Sequence, residues 1–353
     1  MAASSSLLFP EYTMKAVGYQ SALPIDHPES LLDITLPDPV ATGRDLLVEV
    51  RAVSVNPVDT KVRASASRSS DGPEFKVLGW DASGIVRAVG PDVTLFRPGD
   101  RVWYAGSIAR QGTNSELHLV DERIVGHAPA SLDFAEAAAL PLTAITAWEM
   151  LFDRLGIAPG KRPERKSLLV IGAAGGVGSI LVQLAARLTS LTVIGTASRP
   201  ETQSWVRSLG AHHVIDHSLP LTEELRRIGH ASVDCIASLT QTDRHLPQIV
   251  EAIAPQGRFA LIDDPASLDA TVFKRKAVSI HWELMFTRSL FGTEDMIGQH
   301  QLLTEVAALV DAGLIRSTLD RRMGPINAAN LRQAHALIES GKARGKLVLE
   351  GWA

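Results

Sequence analysis

A glycine-rich turn lies between a predicted buried strand and a predicted helix, and its spacing suits the binding of a phosphate. The apolar run that starts at Leu168 stops at Gly172, and an apolar-faced helix follows from Ser179. Such a turn directs backbone N–H groups and the positive end of a helix dipole at one point. Gly175 lacks the Cβ that would keep a phosphate away, and Gly178 lets the helix pack closely on the strand.

The pattern departs from G-x-G-x-x-G at its first position, which is Ala173. A tight strand-to-helix turn without any ligand would also account for these glycines. The strand before the turn and the helix after it favour a dinucleotide site instead. We therefore expect a pyrophosphate to lie on the backbone of four consecutive residues. These are Ala174, Gly175, Gly176 and Val177.

The residue that ends the second strand of a dinucleotide-binding fold selects between the two nicotinamide cofactors. An acidic side chain there binds the ribose hydroxyls of NAD, whereas a 2′-phosphate needs cations and hydroxyls. This strand is predicted to end at Thr196, and no acidic residue follows until Glu201. Ser198 and Arg199 are well placed to hold a phosphate, which favours NADP(H). The alternative is that Arg199 only caps the helix that follows.

Length and composition are those of an ordinary globular protein, and 353 residues suggest two domains. Hydrophobic residues make up 45%, charged residues 21%, and the net charge is -4, so we expect no nucleic-acid and no membrane partner. No apolar segment has membrane-spanning length, and the residues from Met1 to Ser6 do not resemble a signal peptide. The single cysteine, Cys235, excludes an intrachain disulfide, and the cytoplasm is the expected location.

The chain divides into a strand-rich first part and a later part in which strands alternate with helices. Short strand-like segments separated by Pro and Gly turns run from Lys15 to about Ala128. They predict a compact, mostly antiparallel barrel or sandwich. From Ser167 onward the alternation of strand and helix predicts a parallel sheet with helices on both faces. The predicted fold class is therefore α/β plus β.

Six motifs, taken together, carry a family resemblance that covers nearly the whole chain. They are Asn56–Lys61, Gly79–Gly84, Pro98–Val102, Pro141–Trp148, the glycine turn and Gly341–Lys346. On these residues the chain resembles the medium-chain dehydrogenase/reductase superfamily, and most closely its quinone-oxidoreductase-like branch catalogued as zinc-type alcohol dehydrogenase-like proteins. The resemblance implies a GroES-like N-terminal domain over residues 1–140, completed by about 287–353. It also implies a Rossmann doubly wound parallel-sheet domain over 141–286, with NADP(H) in the cleft between the two.

The positions that hold a catalytic metal in zinc-dependent members of this superfamily carry other residue types here. By the resemblance they are Asn56, Trp80 and approximately Leu142, and none of these is a usual zinc ligand. Asp59 and Asp81 remain, but two carboxylates without a thiolate or an imidazole make a poor zinc site. The four-cysteine lobe of some relatives is also missing. We therefore expect no bound metal.

Without a metal ion to act as a Lewis acid, reduction of a conjugated acceptor is easier than oxidation of an alcohol. Oxidation of an alcohol is difficult, because nothing stabilises the developing alkoxide. Reduction of a quinone or an α,β-unsaturated carbonyl is easier, because conjugation spreads the negative charge that arrives with hydride. The sequence therefore predicts NADPH-dependent, zinc-independent reduction of such a small carbonyl or quinone acceptor. A zinc-type alcohol dehydrogenase acting on alcohols or aldehydes, and an NADPH-binding protein with little turnover, remain alternatives.

By the resemblance, six polar residues are expected near the nicotinamide. Asn56 is expected to face the nicotinamide and the acceptor, with Asp59 and Lys61 holding its loop. Tyr104 is a candidate donor to the acceptor oxygen, or else a buried structural tyrosine. Thr143 and Thr146 begin a helix near the expected nicotinamide position, where they could bond its carboxamide or serve only as cap or core hydroxyls.

Loops at the carboxyl ends of the parallel strands are expected to complete the cofactor site, because ligands of open α/β sheets bind there. The predicted residues are Ser238, Leu239, Thr240, Ile262 and Asp263. Near the C-terminus, Arg344 and Lys346 could reach cofactor phosphates, or else lie exposed to solvent.

The resemblance also implies a homodimer. The last Rossmann strand, from Ala277 to Trp282, is expected to pair across a two-fold axis because it is an uncovered sheet edge. Trp282, Met285 and Phe286 are expected to form an apolar wall of the substrate pocket, or to belong to the subunit interface.

Overall fold

The structure is a computed structural model that describes residues 12–65, 75–160 and 166–353. The expectation for Met1 to Ser6 lies outside the described residues. Within the described ranges, no helix is long and apolar enough to cross a membrane.

The strand-rich first part forms two antiparallel sheets. Its elements are β1 (Thr13–Tyr19), β2 (Leu32–Pro37), β3 (Asp45–Val55), α1 (Pro57–Ser65), β4 (Lys76–Val77), β5 (Ala82–Val89), β6 (Arg101–Tyr104), β7 (Leu117–Asp121) and β8 (Val125–His127). One sheet has the order β2-β1-β4, and in the other β3, β5, β6 and β8 lie side by side while β7 also pairs with β3. In β3 the buried residues Leu46, Val48 and Val50 alternate with partly exposed ones, because one face of the strand packs on the core.

The second part is a six-stranded parallel sheet flanked by helices. The chain reaches it through α2 (Phe134–Ala138), which packs on β3 and β5 of the first part. The elements of the second part are α3 (Pro141–Trp148), β9 (Ser167–Ile171), α4 (Gly176–Leu188), β10 (Thr192–Thr196), α5 (Pro200–Ser208), β11 (His213–Ile215), α6 (Leu221–Arg227), β12 (Val233–Ser238), α7 (Thr242–Ala252), β13 (Ile253–Leu261) and β14 (Ser279–Trp282). The strand order is β11-β10-β9-β12-β13-β14, and every neighbouring pair is parallel. All five residues of β9 are buried, as expected for a strand covered on both faces. The predicted fold class, α/β plus β, is confirmed.

The last segment of the chain packs back on the strand-rich part. Its elements are α8 (Thr287–Phe291), α9 (Gly298–Asp311), β15 (Leu319–Arg322), α10 (Ala328–Glu339) and β16 (Lys346–Glu350). β16 pairs with β3 in antiparallel register, with Leu347 opposite Val55. Just before this strand, the Gly345 N–H donates to the Ala174 carbonyl of the glycine turn over 2.9 Å. The C-terminal segment therefore touches both parts, while the domain boundaries near residues 140 and 286 stay predictions.

Candidate functional site

The glycine turn follows β9 directly and leads into α4. Gly172 has a φ of +84°, a left-handed conformation that favours glycine, so the sharp bend lies here rather than at Ala173. Gly175 is the N-cap residue of α4, and no side chain caps this helix. The N–H groups of the first helical turn have no intrahelical acceptor, which leaves them for an anion.

Gly178 and Gly175 of this turn differ in the space around them, which indicates that one is needed for close packing and the other for ligand access. A Cβ built on Gly178 would lie 2.4 Å from the Gly172 carbonyl oxygen, so any side chain there would push α4 away from β9. A Cβ built on Gly175 has that same oxygen as its nearest neighbour at 3.5 Å, and the remaining space is open. An uncapped helix start beside this open cradle fits a cofactor pyrophosphate.

The loop after β12 covers the turn. Thr240 lies closest, since its Cγ2 would be 3.0 Å from a Cβ on Gly172, and the Leu239 N–H donates to the Ile171 carbonyl over 3.1 Å. The Ile262 N–H donates to the Ser238 carbonyl over 3.3 Å. The structure thus brings Ser238, Leu239, Thr240 and Ile262 together at the carboxyl ends of the central strands.

Asp263 organises this loop through α7. Its Oδ2 accepts the Thr242 backbone N–H over 2.8 Å, and the Thr242 hydroxyl lies 2.8 Å from that of Ser238. A carboxylate here therefore caps the start of α7, which explains an acidic residue at the edge of a predicted anion site.

Ser198 and Arg199 follow β10. Ser198 is exposed, and the Arg199 side chain is 41% exposed, with Nε 2.8 Å from Glu201 Oε1 and Nη2 donating to the Lys342 carbonyl over 3.3 Å. Arg199 is itself the N-cap residue of α5, but its side chain makes no capping hydrogen bond. The alternative in which Arg199 serves only as a helix cap is therefore not supported by its side-chain contacts.

Arg344 contacts protein partners rather than open space. Its Nε donates to Asp320 Oδ1 over 2.8 Å, and its guanidinium lies 5.0 Å from the centroid of the Trp205 ring. The Trp205 indole N–H donates to the Ser179 hydroxyl over 2.8 Å. Arg344 thus ties the C-terminal segment to α5 and α4, and its reach to a phosphate stays a prediction.

A fully buried carboxylate, Asp81, lies at the centre of a polar cluster. Its Oδ2 accepts from Ser54 Oγ over 2.9 Å, from Asn56 Nδ2 over 3.0 Å and from Lys346 Nζ over 3.0 Å. Its Oδ1 accepts the Leu142 backbone N–H over 3.0 Å, at the start of α3. Four donors satisfy this carboxylate, as the burial of a charge requires.

Lys346 supplies the positive charge of this cluster and is only 3% exposed. Besides Asp81, its ammonium donates to Asn56 Oδ1 and to the Val55 carbonyl, so all three of its N–H bonds have acceptors. Its stem lies against the glycine turn, since a Cβ on Gly176 would be 2.9 Å from Lys346 Cδ. The ammonium is therefore directed into the polar cluster and not toward the predicted phosphate position at the glycine turn. Lys346 thus connects the polar cluster to the glycine turn.

Asp59 lies beside the cluster and is also buried. Its Oδ2 accepts the Asn56 N–H over 2.6 Å, whereas Oδ1 has no hydrogen-bond partner within the described ranges. Burial raises the pKa of Asp59 to about 7, although the Asn56 N–H and the Lys346 charge act to lower it. Asp59 thus holds the loop of Asn56, and its carboxyl can keep a proton close to neutral pH.

The exposed Lys61 spans the two parts of the molecule. Its ammonium lies 2.7 Å from Asp264 Oδ2, in the loop after β13. Both side chains are largely in solvent, so the pair contributes little stability. It does connect the middle of α1 to the loop after β13 of the parallel sheet.

Tyr104 is buried and pairs with His118. The His118 Nε2 lies 3.0 Å from the Gln111 carbonyl and must donate to it, so Nδ1 accepts from the Tyr104 hydroxyl at 3.1 Å. Burial lowers the pKa of His118 to about 4 and raises the pKa of Tyr104. At neutral pH the Tyr104 hydroxyl therefore donates its only proton to His118. This contact favours the alternative in which Tyr104 is a buried structural tyrosine.

Thr143 and Thr146 lie in the first turns of α3, and both are buried. The Thr143 hydroxyl donates to the Leu140 carbonyl over 3.0 Å, and that of Thr146 donates to the Leu142 carbonyl over 2.9 Å. The Thr143 Cγ2 would lie 3.1 Å from a Cβ on Gly176, so this residue also reaches the glycine turn. Each hydroxyl oxygen keeps capacity to accept one more hydrogen bond.

The polar cluster does not fit a zinc ion. Asn56 has its amide donors on Ser54 and Asp81, and the Trp80 indole N–H donates to the Ser107 carbonyl over 3.1 Å. A lysine ammonium already neutralises the Asp81 carboxylate. Across residues 12–65, 75–160 and 166–353, no three His, Cys, Asp or Glu side chains come together as a metal-binding group.

Sequence reasoning did not anticipate the partners of the central residues. From the sequence, Asp81 is expected only as a poor metal ligand, and no role is expected for His118. Asp81 lies in the largely apolar segment Gly79–Gly84 and is buried. An acidic residue in such a segment indicates a buried charge that needs a cation as its partner. The lysine that pairs with Asp81 in the described part of the chain is Lys346, 265 residues away.

Replacing Lys346 by Met should leave the Asp81 charge buried and unpaired. We expect Lys346→Met to lower the free energy of unfolding by roughly 3–5 kcal/mol. The double variant Asp81→Asn/Lys346→Met should recover part of this loss, because no buried charge remains. Urea unfolding followed by tryptophan fluorescence measures both, with the exposed Lys342→Met as the control. Equal effects of the Lys346 and Lys342 substitutions would contradict the assigned ion pair.

Comparison of the sequence with known families and proteins agrees with this architecture. Residues 42–145 match the alcohol dehydrogenase GroES-like domain, and residues 209–349 match the zinc-binding dehydrogenase family. A zinc-type alcohol dehydrogenase-like protein of Staphylococcus aureus (strain COL) is 39% identical over 338 residues, covering 95% of this chain and 99% of the relative. The human mitochondrial NAD(P)H oxidoreductase RTN4IP1 is 30% identical over 332 residues, covering 86% of this chain and 81% of that protein.

Solved structures are similar over the whole length. A protein of Rhizobium etli CFN 42, provisionally assigned as a zinc-dependent alcohol dehydrogenase, has a TM-score of 0.92 at 62% identity and covers 97% of this chain and 99% of its own. Escherichia coli quinone oxidoreductase complexed with NADPH has a TM-score of 0.78 at 21% identity, covering 95% and 99%, which shows likeness of fold alone. The chain belongs to the medium-chain dehydrogenase/reductase superfamily, among its zinc-type alcohol dehydrogenase-like proteins.

Proposed function

We propose that this chain is an NADPH-dependent, zinc-independent oxidoreductase that transfers hydride to a quinone or an α,β-unsaturated carbonyl. One observation carries the proposal: the Lys346 ammonium neutralises Asp81 directly beside Gly176 of the glycine turn. The position where zinc-dependent members of the superfamily need ligands is thus filled by a closed ion pair of the protein. This ion pair supports a reaction that proceeds without a Lewis acid on the acceptor oxygen.

The cofactor part of the proposal rests on the chain's own groups. The uncapped start of α4 and the open space at Gly175 would hold the pyrophosphate, and Ser198 with Arg199 would hold the 2′-phosphate. A 30% identical relative is named an NAD(P)H oxidoreductase, which supports a nicotinamide cofactor here. When bound, NADPH supplies the hydride.

The acceptor part rests on the chemistry around the polar cluster. Trp80 and Phe286 meet edge to face with ring centroids 6.2 Å apart, and Met285 beside them is also buried. An apolar wall of this kind suits a flat, conjugated acceptor. Reduction also requires a proton, and we assign the proton reserve to Asp59, whose pKa near 7 keeps its carboxyl partly protonated.

Steady-state assays separate this proposal from its alternatives. We expect NADPH oxidation with quinones or enones at a rate that a zinc chelator does not change, and no oxidation of alcohols. Absorbance of NADPH, followed with a panel of quinones, enones, aldehydes and alcohols, measures this. Chelator-sensitive alcohol oxidation would support the zinc-type alternative. Binding of NADPH without turnover of any acceptor would support a protein with little turnover.

Reversing the charge of Arg199 tests the choice of nucleotide. Arg199→Asp should raise the Kd for NADPH by roughly 10- to 100-fold, because a charged hydrogen bond to phosphate is lost and a repulsion is added. The Kd for NADH should change little. Fluorescence titration with both nucleotides measures this, and the exposed Arg207→Asp on the same helix is the control. Equal losses for the two nucleotides would refute the assignment.

We further propose that two copies of the chain pair through the edge strand β14, which hydrogen-bonds only to β13 within the described sheet. Large apolar side chains are exposed beside this edge: Trp282 (53%), Leu284 (51%) and Phe291 (73%). An unpaired edge and an apolar patch together favour burial against a second copy.

Sedimentation velocity at micromolar concentration tests this association. We expect a dimer for the natural chain and a monomer for the variant Trp282→Asp/Phe291→Asp, because buried charges would oppose pairing. Leu219→Asp, at an exposed apolar residue elsewhere, is the control and should stay dimeric. A natural chain that sediments as a monomer would contradict the proposal.

A further inference from the structure

Two histidines of the parallel-sheet domain, His217 and His245, are in contact, and the proposed reaction uses neither of them. His217 follows β11, and His245 lies in the first turns of α7; their ring centroids are 6.1 Å apart in an edge-to-face arrangement. His245 is only 2% exposed, and His217 is half-buried. Within residues 12–65, 75–160 and 166–353, neither Nδ1 atom has a hydrogen-bond partner although both are buried. Two such imidazoles require an explanation.

Strand pairing brings His217 to the predicted 2′-phosphate position. In the neighbouring parallel strands β10 and β11, Thr196 lies opposite Ile215, and the Ala197 N–H donates to the Ile215 carbonyl over 3.0 Å. The segments that leave the sheet next, residues 198–199 and 216–217, therefore begin side by side at its carboxyl edge. Ligands of open α/β sheets bind at this edge.

The charged groups around the pair lie in α7, just before α5, and in the segments that follow β11 and β13. Burial lowers the pKa of His217; the charges of Arg244 in α7 and Arg199 before α5 lower it further, and only Asp216 raises it. Burial, His217 and Arg244 lower the pKa of His245, against Asp263. Both imidazoles are therefore neutral at pH 7. Of the two guanidinium groups, that of Arg199 is paired with Glu201, whose Oε1 lies 2.8 Å from Arg199 Nε.

We propose that His217 reads the 2′-phosphate of NADPH by taking up a proton when the phosphate binds next to Arg199 and Arg244. The inference deepens the proposed function and rests on it. A phosphate dianion offsets the two guanidinium charges and stabilises an imidazolium, so the free imidazole gains one proton from solvent. NADH lacks the phosphate and leaves His217 neutral.

The sign of the proton exchange distinguishes a site that contains an imidazole able to take up a proton from a site made of arginines alone. The second pKa of a phosphate monoester is about 6, and binding to arginines drives the remaining proton off the phosphate. A site made of arginines alone therefore releases protons on binding NADPH. Only a group that becomes protonated, as we assign to His217, gives net uptake.

Calorimetry in two buffers of different ionisation enthalpy counts these protons at pH 7. We expect uptake of roughly 0.5–1 proton for NADPH and none for NADH, with the Kd for NADPH rising by up to about tenfold per pH unit above neutrality. His217→Gln should abolish the uptake and weaken NADPH about tenfold. His213→Gln, at the first residue of β11 and so at the opposite end of this strand from His217, is the matched control and should keep both.

Three results would overturn the inference. Net proton release by the natural chain on binding NADPH, or undiminished uptake in His217→Gln, would reject His217 as the proton acceptor while leaving NADPH dependence intact. Equal proton uptake on binding NADH would show that the uptake does not depend on the 2′-phosphate. Absence of NADPH binding would overturn the proposed function together with this inference. Binding of NADH by His217→Gln, measured in the same titrations, verifies that the variant is folded.

Discussion

The buried ion pair between Asp81 and Lys346 is the interaction on which the geometry of the site depends. A carboxylate with no exposed surface can remain charged only when cations and N–H groups surround it. These donors come from the end of β3, from β16 and from the start of α3 through the Leu142 N–H. Because one charge requires all of them, the loop of Asn56 and the glycine turn are held in one arrangement.

The two ends of the predicted cofactor site differ in electrostatic character. At the polar cluster, Asp81 and Lys346 have every hydrogen-bonding group satisfied by the protein, which favours rigidity. At the edge near β10 and β11, Arg199 is partly exposed and the imidazoles of His217 and His245 keep unpartnered nitrogens. The polar cluster is thus already fully hydrogen-bonded within the protein, whereas the edge near β10 and β11 keeps groups that can still bind a ligand or a proton. The glycine turn and its flanking loops lie between the two.

Much of the fold could be predicted from the sequence, because its determinants are local. The apolar run of β9, the glycines that follow it and the alternation of strand and helix each report on neighbouring residues. The proposals for the cofactor site rest on signals that are equally local, as for Gly175 and for Ser198 with Arg199. Partnerships between distant residues could not be predicted, since Asp81 with Lys346 and Lys61 with Asp264 depend on how the sheets pack. Lys346, expected near a phosphate, is instead part of the core.

The position of Lys346 along the chain has a consequence for biosynthesis. Asp81 is made early, whereas its cation lies in the last strand, 265 residues later. A ribosome therefore releases the strand-rich part with a carboxylate that cannot yet be buried in ionised form. Docking of β16 against β3 becomes the step that completes the N-terminal core, so closure of the first domain waits until the residues of β16 have been translated.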